Sequence, residues 1–153
     1  MKTHQLSEKQ IEGILRKEQV GTLATINEDG SPYATPIHFV YNDRKLYMHG
    51  LPAGQKIENI RRNGNVSFTA YHMSGLLLDE NEIPCDTNTA YQSVIISGNA
   101  SFLTEVNAKK SVLERIVEKY TPQLSNKPLP DKMVKGTAVI VVDIKSMSGK
   151  YWE

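Results

Sequence analysis

Two tight turns near the N-terminus limit the possible architecture more than any other feature of the chain. Asn27-Glu28-Asp29-Gly30-Ser31-Pro32 is dense in turn formers, and Asp29-Gly30 within it is the strongest local hairpin signal. Asn42-Asp43-Arg44 makes the second turn. Between and around them lie three stretches of strand character: residues 21–26, where small or polar residues alternate with apolar ones, residues 33–41 and residues 45–50. Parallel neighbours need a crossover of roughly a dozen or more residues, which neither turn supplies. The three stretches therefore run antiparallel as a meander, and a doubly wound parallel sheet is disfavoured. Pro36 has no N–H for a ladder hydrogen bond, which places it at an edge, a bulge or a strand bend where backbone is exposed.

The remainder of the chain extends this sheet. Residues 65–71 alternate cleanly, with Val66, Phe68 and Ala70 on one face. Residues 91–103 are rich in β-branched side chains and broken at Gly98, predicting a bulge that helps a sheet curl. Residues 137–144 are almost continuously apolar, as in a central strand. Helical spacing covers residues 7–19, capped by Ser7 and with Ile11, Ile14 and Leu15 on one face. It recurs over residues 55–63, stopped by Asn63-Gly64, and over residues 107–120, with Val112, Leu113, Ile116 and Val117 as the apolar stripe of an exterior helix. Residues 72–90 lose all periodicity and are expected to form an irregular, acidic-leaning loop that covers a site or a partner subunit. Residues 121–135, with Pro122, Pro128 and Pro130, read as a surface connection, and residues 145–153 as a tail. The expectation is a mainly β protein, a small closed or split β-barrel of about six antiparallel strands with peripheral helices, in one domain over residues 1–153.

Charge and composition narrow the function. With 18 Lys+Arg against 17 Asp+Glu, the net charge of +1 offers no broad attraction to nucleic acid or an anionic membrane, so neither is an expected partner. The single cysteine, Cys85, excludes an internal disulfide and suits a reducing compartment. The first six residues lack the apolar run of a signal peptide or membrane span, so a cytoplasmic location is expected. His4, His38, His49 and His72 form no close pair with one another or with cysteine at zinc-like spacing, and no metal is expected. The Gly-x-Ser-x-Gly elbow, the Walker loop and a strand-linked Gly-x-Gly-x-x-Gly are absent, which removes serine hydrolysis, nucleotide hydrolysis and a dinucleotide fold.

Any phosphate chemistry must be local on so balanced a chain. Residues 45–62 read as a strand running through a Pro/Gly loop into a short basic helix. Gly54 permits close backbone approach, Gln55 offers an amide donor, and Lys56 falls in the first helical turn, where the helix dipole favours an anion. Lys56, Arg61 and Arg62 either form this cradle or are a solvated helix face.

The blocks Gly21-Thr22-Leu23-Ala24-Thr25, Asp29-Gly30-x-Pro32-Tyr33-Ala34-x-Pro36-Ile37-x-Phe39-Val40-Tyr41 and Leu46-Tyr47-Met48-His49-Gly50, followed by Gly54-x-Lys56-Ile57-x-Asn59-Ile60-Arg61-Arg62-Asn63, resemble the pyridoxamine 5'-phosphate oxidase-like flavin-binding split barrels. Within that superfamily the chain is most similar to the 5-nitroimidazole-resistance type, which the later blocks Tyr91-x-Ser93-Val94-Ile95-Ile96-x-Gly98-x-Ala100 and Met147-x-Gly149-Lys150 also fit. The likeness is collinear over nearly the whole chain and weakens over residues 72–90 and 121–135. It implies an FMN-binding homodimer with each flavin at the subunit interface. By position, Ala34, Thr35, Pro36 and Ile37 would lie beside the isoalloxazine, Met48, His49 and Gly50 near the ring and ribityl chain, and Gln55 and Lys56 at the phosphate. Tyr91 and Ser93 would come from the later strand, in the partner subunit, and Trp152 would cap the flavin from the tail.

The implied activity is that of a flavin-dependent oxidoreductase, a reductase of small molecules such as nitroaromatics, fed by NAD(P)H or another electron donor, with no catalytic side chain required. A non-catalytic flavin- or haem-binding carrier or sensor is the alternative on the same fold, and a cofactor-free dimeric barrel the third. Two departures bear on this. Gln55 stands where many nitroimidazole-resistance relatives carry histidine, so no role of that histidine transfers. The tail, Lys150-Tyr151-Trp152-Glu153, lacks the arginine-rich substrate segment of the oxidases proper, so oxidation of pyridoxamine phosphate is not expected.

Overall fold

A computed structural model describes residues 4–153; Met1, Lys2 and Thr3, which begin the segment bearing on localisation, lie outside the described residues. The elements run β1 (His4–Gln5), α1 (Glu8–Lys17), β2 (Val20–Ile26), β3 (Pro32–His38), β4 (Val40–Asn42), β5 (Lys45–Gly50), α2 (Gln55–Arg62), β6 (Asn65–Leu77), β7 (Asn88–Phe102), α3 (Val106–Tyr120), α4 (Asp131–Gly136) and β8 (Ala138–Trp152). All strands pair antiparallel in one sheet ordered β3-β2-β6-β7-β8-β5-β4, with β1 added to β8. The sheet's two end strands, β3 and β4, are joined through the single residue Phe39, so the sheet rolls round on itself. Strand β3 comes alongside β5 without pairing to it, and that gap is the split of the barrel.

Both tight turns form. Gly30 takes φ +84 in the first, and Asp43 and Arg44 both take positive φ in the second, the geometry of a two-residue hairpin turn. Pro36 sits on an edge strand, as its missing donor requires. The expected single strand over 33–41 is two strands, because the chain turns at Phe39 and only Val40–Asn42 pairs with β5. That division, with the short β1, raises six expected strands to eight. The bulge at Gly98 is present: Ser97 pairs Ser146 and Gly98 pairs Ile144, leaving Lys145 as the extra residue.

Three expectations are corrected. Residues 72–90 are not an irregular loop throughout: β6 runs on to Leu77, β7 starts at Asn88, and the connection between them holds a short 3-10 turn at Pro84–Asp86. The tail is strand to Trp152, held between β7 and β1. Residues 121–135 contain a 3-10 turn at Pro122–Leu124 and α4, whose Val134 is buried. At the end of β6 alternation was missing because both faces are largely exposed, whereas in the tail Met147, Gly149 and Tyr151 do alternate inward but the glycine carries no side chain to show it.

The interior collects Leu23, Phe39, Leu46, Met48, Phe68 and Ile96, with Phe39 and Phe68 edge to face at 4.7 Å. Each such side chain contributes roughly 1.5–3 kcal/mol on burial. Gly21 is required here: a Cβ would lie 2.0 Å from Phe68 Cζ. A second apolar cluster outside the barrel, Val40, Val112, Ile116 and Val139, seats α3 against β4 and β8. The end of α3 then pins the strand break. Lys119 Nζ donates to the carbonyls of Leu15, Glu18 and Phe39 at 3.3, 2.6 and 3.0 Å. The Phe39 N–H donates to the Tyr120 hydroxyl at 2.8 Å.

Candidate functional site

A groove of about 500 Å³ opens at the split, lined by Val20, Pro36, Ile37, His38, His49 and Lys56. Strand β3 supplies one wall, the end of β5 the other, and the start of α2 closes one end. The volume lies within the usual range of small-molecule sites.

The α2 end is built for an anion. Gly54 precedes the helix at φ +118, a conformation that penalises any side chain, and no side chain caps the helix. The Gly54 carbonyl accepts from the N–H groups of Ile57 and Glu58, while among the described residues no carbonyl takes those of Gln55 and Lys56. The Lys56 stem lies over Gly50, whose Cβ position would be 3.8 Å from Lys56 Nζ. Lys56 is half-buried and, among the described residues, forms no ion pair or hydrogen bond. Two bare N–H groups beside an uncommitted ammonium make a phosphate-sized acceptor site.

Along the groove the character changes. Pro36, Ile37 and Val20 are apolar, but two buried polar atoms stand without partners, His49 Nδ1 in the lining and Thr35 Oγ1 next to it along β3. Buried polar groups are normally paired, so these two suit a ligand that carries hydrogen-bonding groups. Burial first, and then the nearby His38, hold the His49 imidazole below the usual histidine range, so it is neutral at neutral pH. His38 stacks on the Tyr120 ring at 4.6 Å. Among the described residues no three His, Cys, Asp or Glu side chains converge to hold a metal.

Behind α2 lies a polar network. The Asn59 amide donates to Thr25 Oγ1 at 3.0 Å and Asn27 Oδ1 at 2.9 Å, and accepts from Gln55 Nε2 and Arg62 at 3.0 Å each. Gln55 Nε2 also donates to Asn27 at 3.1 Å. Its side-chain donor is thus spent within the protein, and only its backbone N–H faces outward for an anion. Arg62 reaches the Ile26 carbonyl at 3.0 Å; Arg61 pairs with Glu58 and lies over the Phe102 ring.

Of the residues expected at a site, the groove lining brings together Pro36, Ile37, His49 and Lys56, with Gly50 under Lys56 and Ala34 and Thr35 next along β3. The Met48 side chain is wholly buried in the core, leaving only its backbone near the groove. Tyr91, Ser93 and Trp152 do not line it: Tyr91 stacks on Tyr71, Ser93 faces Tyr71 and Lys150 across the ladder, and Trp152 pairs with Tyr91 and stacks on His4. His38 was missed, although its place two residues after Pro36 on the same strand face was the available signal.

The family model described as pyridoxamine 5'-phosphate oxidase matches residues 7–151, and the chain belongs to that family. Among solved structures it is similar to a protein from Bacteroides thetaiotaomicron provisionally assigned to 5-nitroimidazole antibiotic resistance, at 28% identity and TM-score 0.81, covering 97% of this chain and 87% of that one. It also matches a FAD- and heme-binding protein from Mycobacterium smegmatis at 18% identity and TM-score 0.85, covering 96% and 72%. A FAD-binding protein from Mesorhizobium loti matches at 22% identity and TM-score 0.72, covering all of both chains. The last two are likenesses of fold. A comparison with curated proteins gives no match.

Proposed function

We propose that the chain binds FMN in the groove at the barrel split and serves as a flavin-dependent reductase of small molecules, nitroaromatics among them. The observation that carries this reading is the uncommitted Lys56 ammonium beside the bare N–H groups of Gln55 and Lys56, at the end of a groove whose lining also holds the unpaired His49 Nδ1. Family membership and the likeness to the Bacteroides protein support the choice of flavin and of substrate class. When bound, the flavin would supply hydride or electron transfer. The protein's part is to hold and orient: Lys56 and the start of α2 take the phosphate, Pro36 and Ile37 form an apolar wall, and Thr35 and the neutral His49 offer hydrogen bonds.

A second copy of the chain completes the proposed site. Val20, Tyr71, Met73, Leu76, Leu78 and Ile95 are exposed apolar residues, most of them on the hairpin of β6 and β7. Covering them in a homodimer would remove that surface from water and carry Tyr91, Ser93 and Trp152 of one copy towards the groove of the other. Among the described residues no helix is long and apolar enough to cross a membrane. The proposed setting is the reducing cytoplasm, where the exposed Cys85 stays a thiol.

The test is the absorption spectrum and mass of whatever co-purifies, followed by anaerobic NAD(P)H addition. A flavin spectrum, the mass of FMN and bleaching by the nicotinamide are expected. A bound flavin that no nicotinamide reduces would favour the carrier or sensor, and a haem spectrum or no uptake of FMN would reject the proposal.

A further inference from the structure

Asn59 is wholly buried at 0% exposure in a helix of only eight residues. Asparagine is a poor helix former, and burying its amide costs free energy unless every polar atom is paired. Here every one is: both amide hydrogens are donated, to Thr25 and Asn27, and both lone-pair directions of the oxygen are filled, by Gln55 and Arg62. The chain of bonds continues through Asn27 Nδ2 to Ser31 Oγ and on to Asp29, whose carboxyl is held below its usual range first by the Ser31 hydroxyl and more weakly by Arg62. The apolar anchors of α2 are Ile57 and Ile60. These two residues set which face of α2 meets the core, and directional hydrogen bonds then define its roll more narrowly. The two bonds that Asn59 donates fix that roll, because they tie α2 to Thr25 of β2 and Asn27 of the β2–β3 turn, while the two it accepts come from Gln55 and Arg62 of the same helix.

The direction of Lys56 and of the bare N–H groups into the groove depends on that roll. We infer that Asn59 is a positioning residue for the phosphate end of the ligand, acting through the orientation of α2 and touching no ligand itself. This rests on the proposed FMN site.

The experiment compares binding of FMN and of riboflavin, which lacks the phosphate, to wild type, Asn59→Leu and Thr25→Val, alongside thermal melts. Wild type should prefer FMN by tenfold or more. Asn59→Leu keeps the volume and removes all four bonds. It should lose about tenfold in FMN affinity with riboflavin affinity within about twofold, so that the preference collapses. Thr25→Val removes one acceptor and should shift the ratio the same way by a smaller factor; if Asn59→Leu fails to fold, this variant decides. An FMN-to-riboflavin ratio unchanged in the folded variants, with both affinities falling together or neither, would overturn the positioning role while leaving the FMN site standing. Wild type that binds both flavins equally would overturn the phosphate site itself, and this inference with it.

Discussion

Lys56 and Lys119 are both half-buried lysines on helices that flank the same strand break, and they are used in opposite ways. Lys119 spends its three hydrogens on the carbonyls of Leu15, Glu18 and Phe39 and sits 4.1 Å from the Phe39 ring centroid. Lys56, among the described residues, donates to nothing and faces a groove. A cation whose donors are all consumed within the protein is part of the scaffold. One that is kept partly from water without a partner costs stability unless a ligand takes it up. The contrast separates a structural lysine from a ligand-binding one on geometry alone.

The largest effect expected from breaking this contrast is at Lys119. Lys119→Met should remove three hydrogen bonds to carbonyls, of which the Phe39 carbonyl keeps the Tyr120 hydroxyl, and cost about 2–3 kcal/mol of stability, read as a lowered midpoint in urea. Burial pushes the Lys119 ammonium down to about 8 from its usual 10.5. Between those values the unfolded chain holds a proton that the folded chain has released, so this residue's contribution to stability rises with pH. Melts of wild type and Lys119→Met from pH 7 to 9.5 should show the gap between them widening; a constant gap would contradict it.

Lys56→Met should leave the melting temperature without ligand almost unchanged, within about 0.5 kcal/mol, while weakening FMN by about 10- to 100-fold. The rise in melting temperature on adding FMN should shrink accordingly. Gly54→Ala comes next. Its φ of +118 is unfavourable for alanine, so a loss of about 1–2 kcal/mol is expected, together with weaker FMN binding as the start of α2 shifts. The smallest effect belongs to His49. Its folded pKa is depressed, so stability is lost as pH falls from about 6.5 towards that lower value, where the unfolded chain takes up a proton first. His38→Gln removes the secondary cause and should raise the His49 titration midpoint by NMR; a fall would be the wrong sign.

The same contrast shows what was legible in the sequence. Turns are short-range, so Asp29-Gly30 and Asn42-Asp43-Arg44 identified the antiparallel meander without tertiary information. The break at Phe39 was hidden because an apolar residue there suits an unbroken strand equally well, and the reason for it, the Tyr120 and Lys119 contacts, lies about 80 residues away. At the groove, Lys56 and Pro36 were legible because cradle and edge chemistry have local signatures, while His49 and Ile37 came from the family resemblance. The Gln55 side chain turned away to Asn27 and Asn59, which no local pattern reveals. No local pattern sets Asn59 apart from the other polar residues of its helix, or Lys119 from those of α3. Their burial is decided by packing.

The most direct measurement is calorimetric titration of FMN and of riboflavin into apo wild type and Lys56→Met. Tighter FMN binding than riboflavin binding in wild type, with that preference lost in Lys56→Met and riboflavin affinity retained, is the predicted result. Equal affinity of wild type for the two flavins, or an FMN preference that survives loss of the Lys56 ammonium, would contradict the assignment of this groove as a flavin phosphate site.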